Sequence, residues 1–140
     1  LQELGKKLKK DCVLKFVTTG EAIGNQTYRR SMSLLLVKAV YNVAGHENID
    51  KVRILYSVSK GYYCKVEGNV VVNQDFLNRV TIRMRDIVEA DIPIKKRSVS
   101  TPDATALFHQ YGMVDKEKLF EYRRSSKITT VGICFRAQDT

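Results

Sequence analysis

One stretch limits what this chain can become: Thr27 to Gly45, TYRRSMSLLLVKAVYNVAG. Met32, Leu35, Leu36, Ala39, Val40 and Val43 recur at helical spacing and form one continuous apolar face. Leu34, Val37 and Tyr41 widen that face, so the spacing predicts a helix buried on more than one side. Thr27 suits the cap before the first turn, and Gly45 suits a left-handed residue after the last. On that reading Arg29, Arg30 and Ser31 stand in the first turn. Cations there oppose the helix dipole, which favours negative charge at an N-terminus. A local misfit of this kind points to a task outside the helix. The alternative is two solvated arginines.

A helix this apolar needs partners to bury it. The rest of the chain reads as β, α, β, β, α, β, α, α, β with this helix second. Cys12 to Val17 is a β-rich run. Val52, Ile54, Tyr56 and Val58 alternate with polar residues as a strand with one buried face. Lys60-Gly61 turns it into a second strand, Tyr62 to Val66. Asn73 suits the cap of a helix from Gln74 to Glu89, with a core stripe of Phe76, Val80, Met84, Ile87 and Val88. Asp91-Ile92-Pro93 ends it, because a residue before proline leaves the helical region. Ile94 to Ser100 is a short strand, where Lys95 and Lys96 discourage edge pairing. Thr101-Pro102 opens a helix that Gly112 closes. Asp115 caps another through Tyr122, and Ile128 to Phe135 is the last strand. Leu1, Leu4 and Leu8 suggest a short helix or turn at the start. The fold class is therefore α+β, a mainly antiparallel sheet covered by a long central helix and several shorter ones.

The chain carries 24 Lys and Arg against 15 Asp and Glu, a net charge of +9. That balance favours anionic partners. Lys6, Lys7, Lys9 and Lys10 supply much of it and also suit a plain solvated face. No apolar run approaches the roughly 20 residues of a membrane span. Cys12, Cys64 and Cys134 are odd in number and far apart, which suits a reducing cytoplasm better than a disulfide framework. The opening LQELGKKLKK, without an initiator Met, reads as a cut from a longer protein.

Catalytic signatures are missing. The glycines complete no Walker A loop, and there is no Gly-x-Ser-x-Gly elbow or His-Glu-x-x-His. His46 and His109 lack a second His or Cys one turn away, so zinc is not expected; His109 reads as a half-buried residue beside Phe108. What does recur is Tyr-Arg-Arg-Ser, at Tyr28 to Ser31 and at Tyr122 to Ser125. Guanidinium forks match phosphate oxygens, and serine adds a donor. Convergence of the two stretches predicts an anion site of Arg30 and Arg123, then Ser126 and Lys127, with Arg29, Arg124 and Ser31 around them. The alternative is surface arginines meeting solvent, Glu121 or Asp86.

TYRRSMSLLLVKAV, SKGYYCKVEG, RMRDIVEADIPI, the SxxxATALFHQYG segment and EYRRSSKITT, in that order, resemble the N-terminal region of bacterial uridine kinase-like proteins of the phosphoribulokinase and uridine kinase family. The resemblance covers about Leu4 to Val131. It implies a modular protein: residues 1–23 as the tail of a TGS-like domain or a linker, and residues 24–140 as an accessory domain like the second additional domain of threonyl-tRNA synthetase. A P-loop kinase domain would follow, and only there would ATP and magnesium be cofactors; this chain would use none. The synthetase domain edits mischarged tRNA with a His-x-x-x-His pair and a later Cys-x-x-x-His. The matching helix positions here are Arg30 and Leu34, and Cys134 would pair with Gln138. Metal-dependent deacylation is therefore not carried over. The resemblance implies a cytoplasmic, non-catalytic accessory segment. Its expected partners are the kinase domain and a nucleotide or RNA phosphate, with no membrane and with an oligomer left open. The alternatives are a nucleotide- or tRNA-binding editing-type module and a structural spacer.

Overall fold

The computed structural model describes residues 2, 6–59, 61–122 and 127–133. The chain divides into two compact units, Leu1–Met32 and Ser33–Thr140. The α+β class is as predicted.

In the first unit, residues 7–18 form no regular element apart from a bend at Lys10. The strand expected at Cys12 to Val17 is absent: Val13 is 99 % and Phe16 75 % exposed. β-rich composition does not make a strand unless a second chain segment takes its N–H and C=O groups, and none does so among the described residues. Of the short opening helix, Leu1 and Leu4 lie outside the described residues, and Leu8 is not helical.

Helix α1 (Ala22–Ala44) begins five residues earlier than the expected Thr27 cap. Glu21 N donates to Thr18 O at 3.1 Å and Asn25 N to Glu21 O at 2.8 Å as the helix winds up. Thr27 thus sits inside the helix. Its hydroxyl donates back to Ile23 O at 3.0 Å, and Ser31 donates to Thr27 O at 3.2 Å. Such back-bonding satisfies a hydroxyl that has no cap to form.

In the second unit, the α1 residues Leu35, Ala39 and Val40 are buried, as predicted, and the flanking Leu34, Leu36 and Val37 are half-buried. The end of α1 is tied down by side chains. Asn48 Nδ2 donates to Ala44 O at 2.7 Å, and an Arg79 Nη donates to Val43 O at 3.1 Å. These donors meet carbonyls that a helix end leaves without partners. Gly45 follows at φ +83°, ψ 145°, a glycine conformation outside the left-handed helical well. A 3₁₀ turn, His46–Asn48, leads into strand β1 (Ile49–Val58).

β1 pairs antiparallel with β2 (Gly61–Gly68), from Ile49↔Gly68 to Val58↔Gly61. Helix α2 (Gln74–Glu89) has the predicted bounds. Asn73 Oδ1 accepts from Phe76 N at 2.8 Å, as a cap should. At the other end Asp91 N donates to Val88 O and Ile92 N to Ile87 O, the paired bonds of a Schellman motif, with Asp91 at φ +46° where glycine is usual. Phe76, Val80 and Ile87 are buried, but Val88 is 62 % exposed. It lies about 100° round the helix from Ile87, off the stripe.

Strand β3 (Ile94–Ser100) pairs antiparallel with β4 (Lys127–Ile133), from Ile94↔Ile133 to Ser100↔Lys127. The described strands form two separate two-stranded ladders instead of one sheet. Between β3 and β4 lie α3 (Thr101–Gln110) and α4 (Val114–Glu121). Ser100, one residue before the expected Thr101, caps α3 through Asp103 N. Gly112 closes it at φ +64°, as predicted. Met113 stands at the α4 cap in place of Asp115. Phe108 stacks on Phe120 at 5.2 Å, but His109 is exposed, not half-buried, with Nδ1 3.1 Å from Glu117. Among the described residues, the second unit's core holds Leu35, Ala39, Val40, Ile49, Phe76, Val80, Ile87 and Ala104.

Candidate nucleic-acid interface

The first Tyr-Arg-Arg-Ser stretch lies on α1, where Arg29 and Arg30 are exposed. Because the helix starts at Ala22, both arginines stand about two turns inside it. The N-terminal N–H groups expected to help them hold an anion are therefore not beside them. Ser31 keeps its hydroxyl on Thr27 O. Arg123, Arg124 and Ser126 lie outside the described residues, and Lys127 opens β4 with an exposed side chain.

The β1–β2 ribbon carries a second basic face. Val52, Ile54, Cys64 and Val66 are half-buried on one side. On the other, Arg53 pairs in register with Lys65, and Glu67 takes an ion pair from each, at 3.3 and 3.0 Å. The hydrogen bond from Lys65 chiefly holds the Glu67 carboxyl below the usual carboxylate range. Some burial opposes the shift, and the charges of Arg53, Lys65 and Lys51 add to it. Lys51 pairs with Asp115 of α4 and lowers that carboxyl in the same way. Burial pushes the Cys64 thiol up from its ordinary range.

A register shift breaks this ladder between Ile54 and Ser57, where Leu55 and Tyr56 together oppose Tyr63. That is a β-bulge, which re-aims side chains. It turns Tyr56 away from the buried face assigned to it by simple alternation. Tyr56 stacks instead on Tyr63, ring centroids 5.2 Å apart and planes at 18°. The two rings remain 59 % and 47 % exposed. Alternation alone misses this pair. The available signal was the adjacent Tyr62-Tyr63, since neighbours in a strand cannot both face the core.

A cleft of about 380 Å³ lies where the end of α1 meets the start of α2, lined by Val43, Asn48, Asn69, Val70, Val71, Asn73, Asp75, Phe76 and Arg79 among others. Asn48, Asn73 and Arg79 already donate or accept within the fold, so these polar groups serve the α1–α2 junction. Among the described residues no three His, Cys, Asp or Glu side chains gather as a metal site. Arg30 is exposed and Leu34 half-buried; Cys134 and Gln138 lie outside the described residues. No helix among the described residues is long and apolar enough to cross a membrane.

Comparison with known proteins points one way. The chain is 28% identical over 109 residues to a threonine–tRNA ligase of Thermotoga neapolitana, a match covering 77% of this chain and 17% of the ligase. It is 26% identical over 130 residues to the threonine–tRNA ligase of Thermotoga maritima, covering 92% of this chain and 20% of that one. It is 30% identical over 112 residues to the enzyme of Syntrophotalea carbinolica, with 77% and 17% covered. No family model and no solved structure matches. The chain is thus similar to part of these threonine–tRNA ligases, and it spans only 17–20% of their length. The uridine kinase part of the resemblance receives no support from them.

Proposed function

We propose that this segment is a non-catalytic accessory module that binds tRNA through its phosphates. The observation that carries the reading is similarity, over 77–92% of the chain, to ligases that act on tRNA. Composition agrees: a net charge of +9 draws an anionic polymer. Leucine at position 34 supplies no metal ligand, so the hydrolytic chemistry of an editing site has no foothold in that helix. Arg30 and Arg123 remain the first choices for phosphate contact, with Ser126, Lys127, Arg29, Arg124 and Ser31 after them. The finer expectation, a uridine kinase parent using ATP and magnesium in its own kinase domain, rests on the resemblance alone.

The test is a salt series. Binding of tRNA should weaken linearly in log–log form as salt rises. Arg30→Ala should flatten the slope by roughly 0.9 if that guanidinium neutralises one phosphate. Affinity that ignores salt would remove the reading. An unchanged slope in Arg30→Ala would remove Arg30 from it.

A further inference from the structure

We propose that the Tyr56–Tyr63 pair is a stacking platform for unpaired bases of RNA. The inference rests on the tRNA-binding reading and names which part of the RNA this ribbon takes.

Three observations meet on one face. First, the bulge at Leu55–Tyr56 puts two aromatic rings together on the solvent side of the ribbon. Regular alternation would have sent Tyr56 towards the half-buried side with Ile54. Second, both rings stay about half exposed although large and flat, and they are stacked on each other. Aromatic faces of this kind accept any base, because every base has a π-face. Third, the next cross-strand pair along the same face is Arg53↔Lys65. A base stacked on the tyrosines would bring its phosphate towards these cations. Glu67 now holds both of them, and a phosphate would compete with it for the same donors. The charge suits single-stranded nucleic acid and disfavours an acidic surface that brings no ring to stack.

The competing explanation is a cross-strand aromatic pair that only steadies the hairpin. The two differ in what they do to ligands. The probes are oligoadenylate, an abasic oligomer of equal length and charge, and tRNA. The chain has seven Tyr and no Trp, so its near-ultraviolet emission reports tyrosine directly. Oligoadenylate should quench that emission and bind more tightly than the abasic oligomer. Tyr56→Ala and Tyr63→Ala should each weaken oligoadenylate binding on the order of tenfold. Both should leave abasic binding and the salt slope as in the wild type, which also shows that the variants are folded. Tyr56→Phe should bind as the wild type does, because stacking needs the ring and not the hydroxyl. Equal affinity of wild type for the two oligomers overturns the platform. So does wild-type oligoadenylate affinity in both alanine variants, or a loss in Tyr56→Phe as large as in Tyr56→Ala. If tRNA binds with the expected salt slope while these results go the wrong way, only the platform fails. If tRNA itself does not bind, the tRNA reading fails first.

Discussion

Gly68→Ala should destabilise the second unit by roughly 3 kcal/mol or more, the sum of backbone strain and displaced backbone. Gly68 sits at φ +137°, a conformation that side-chain-bearing residues rarely adopt. It also faces the start of β1 at its register partner Ile49. A Cβ here would run into the Asn48 carbonyl oxygen and come within 2.9 Å of Asp50 N and of Ile49 Cα. All three are main-chain atoms, so no side chain can swing aside. Either β2 lifts away from the start of β1 or the 3₁₀ turn before β1 unwinds. Ile49 is a core residue, so both routes open the core. Urea unfolding should show a lower midpoint with an unchanged slope, the sign of lost stability without a change in compactness. An unfolding free energy within about 0.5 kcal/mol of wild type would mean the approach of Gly68 to Asn48 is not as close as described.

Phe76→Ala should cost about 3–5 kcal/mol, a large share of the roughly 5–15 kcal/mol that holds a domain folded. Phe76 is 6 % exposed and is the first residue of the α2 stripe. Its backbone N–H is the group that Asn73 caps, so its ring and the helix start are set by the same local geometry. Removing the ring enlarges the cleft at the α1–α2 junction, which Phe76 already lines. Water entry from that side would hold the loss near the lower end of the range. Thermal unfolding should show Tm lower by roughly 10 °C or more. A drop of only about 3 °C would place Phe76 outside the core that stabilises this unit.

How far the sequence could be read depends on where its signals are local. Asn73, the Phe76–Val80–Ile87 spacing and Ile92-Pro93 all act within a turn or two, and α2 was found with the bounds they imply. β3 likewise kept its predicted bounds. At the start of α1, Thr27 looked like a cap, but caps and back-bonding hydroxyls use the same residue types. Only the backbone upstream, from Thr18 to Ala22, decided which role Thr27 took. CVLKFV failed for a different reason: a strand is completed by a partner elsewhere in the chain, and its own composition says nothing about whether one arrives. Tyr56 failed because a one-residue bulge reverses the facing of everything beyond it, and no residue type announces a bulge. For the candidate site, the sequence left Arg29 and Arg30 between an anion site and plain solvent, and placed them at a helix terminus that lies two turns earlier.

This chain is expected to bind tRNA and not to deacylate it. One assay reads both halves: incubate the purified protein with tRNA carrying a labelled, mischarged amino acid, then measure the RNA retained in complex and the ester remaining. The expected result is salt-sensitive retention with ester loss no faster than in buffer, with or without added zinc. Retention with accelerated, zinc-dependent ester loss would contradict it, and so would intact ester with no retention at low salt.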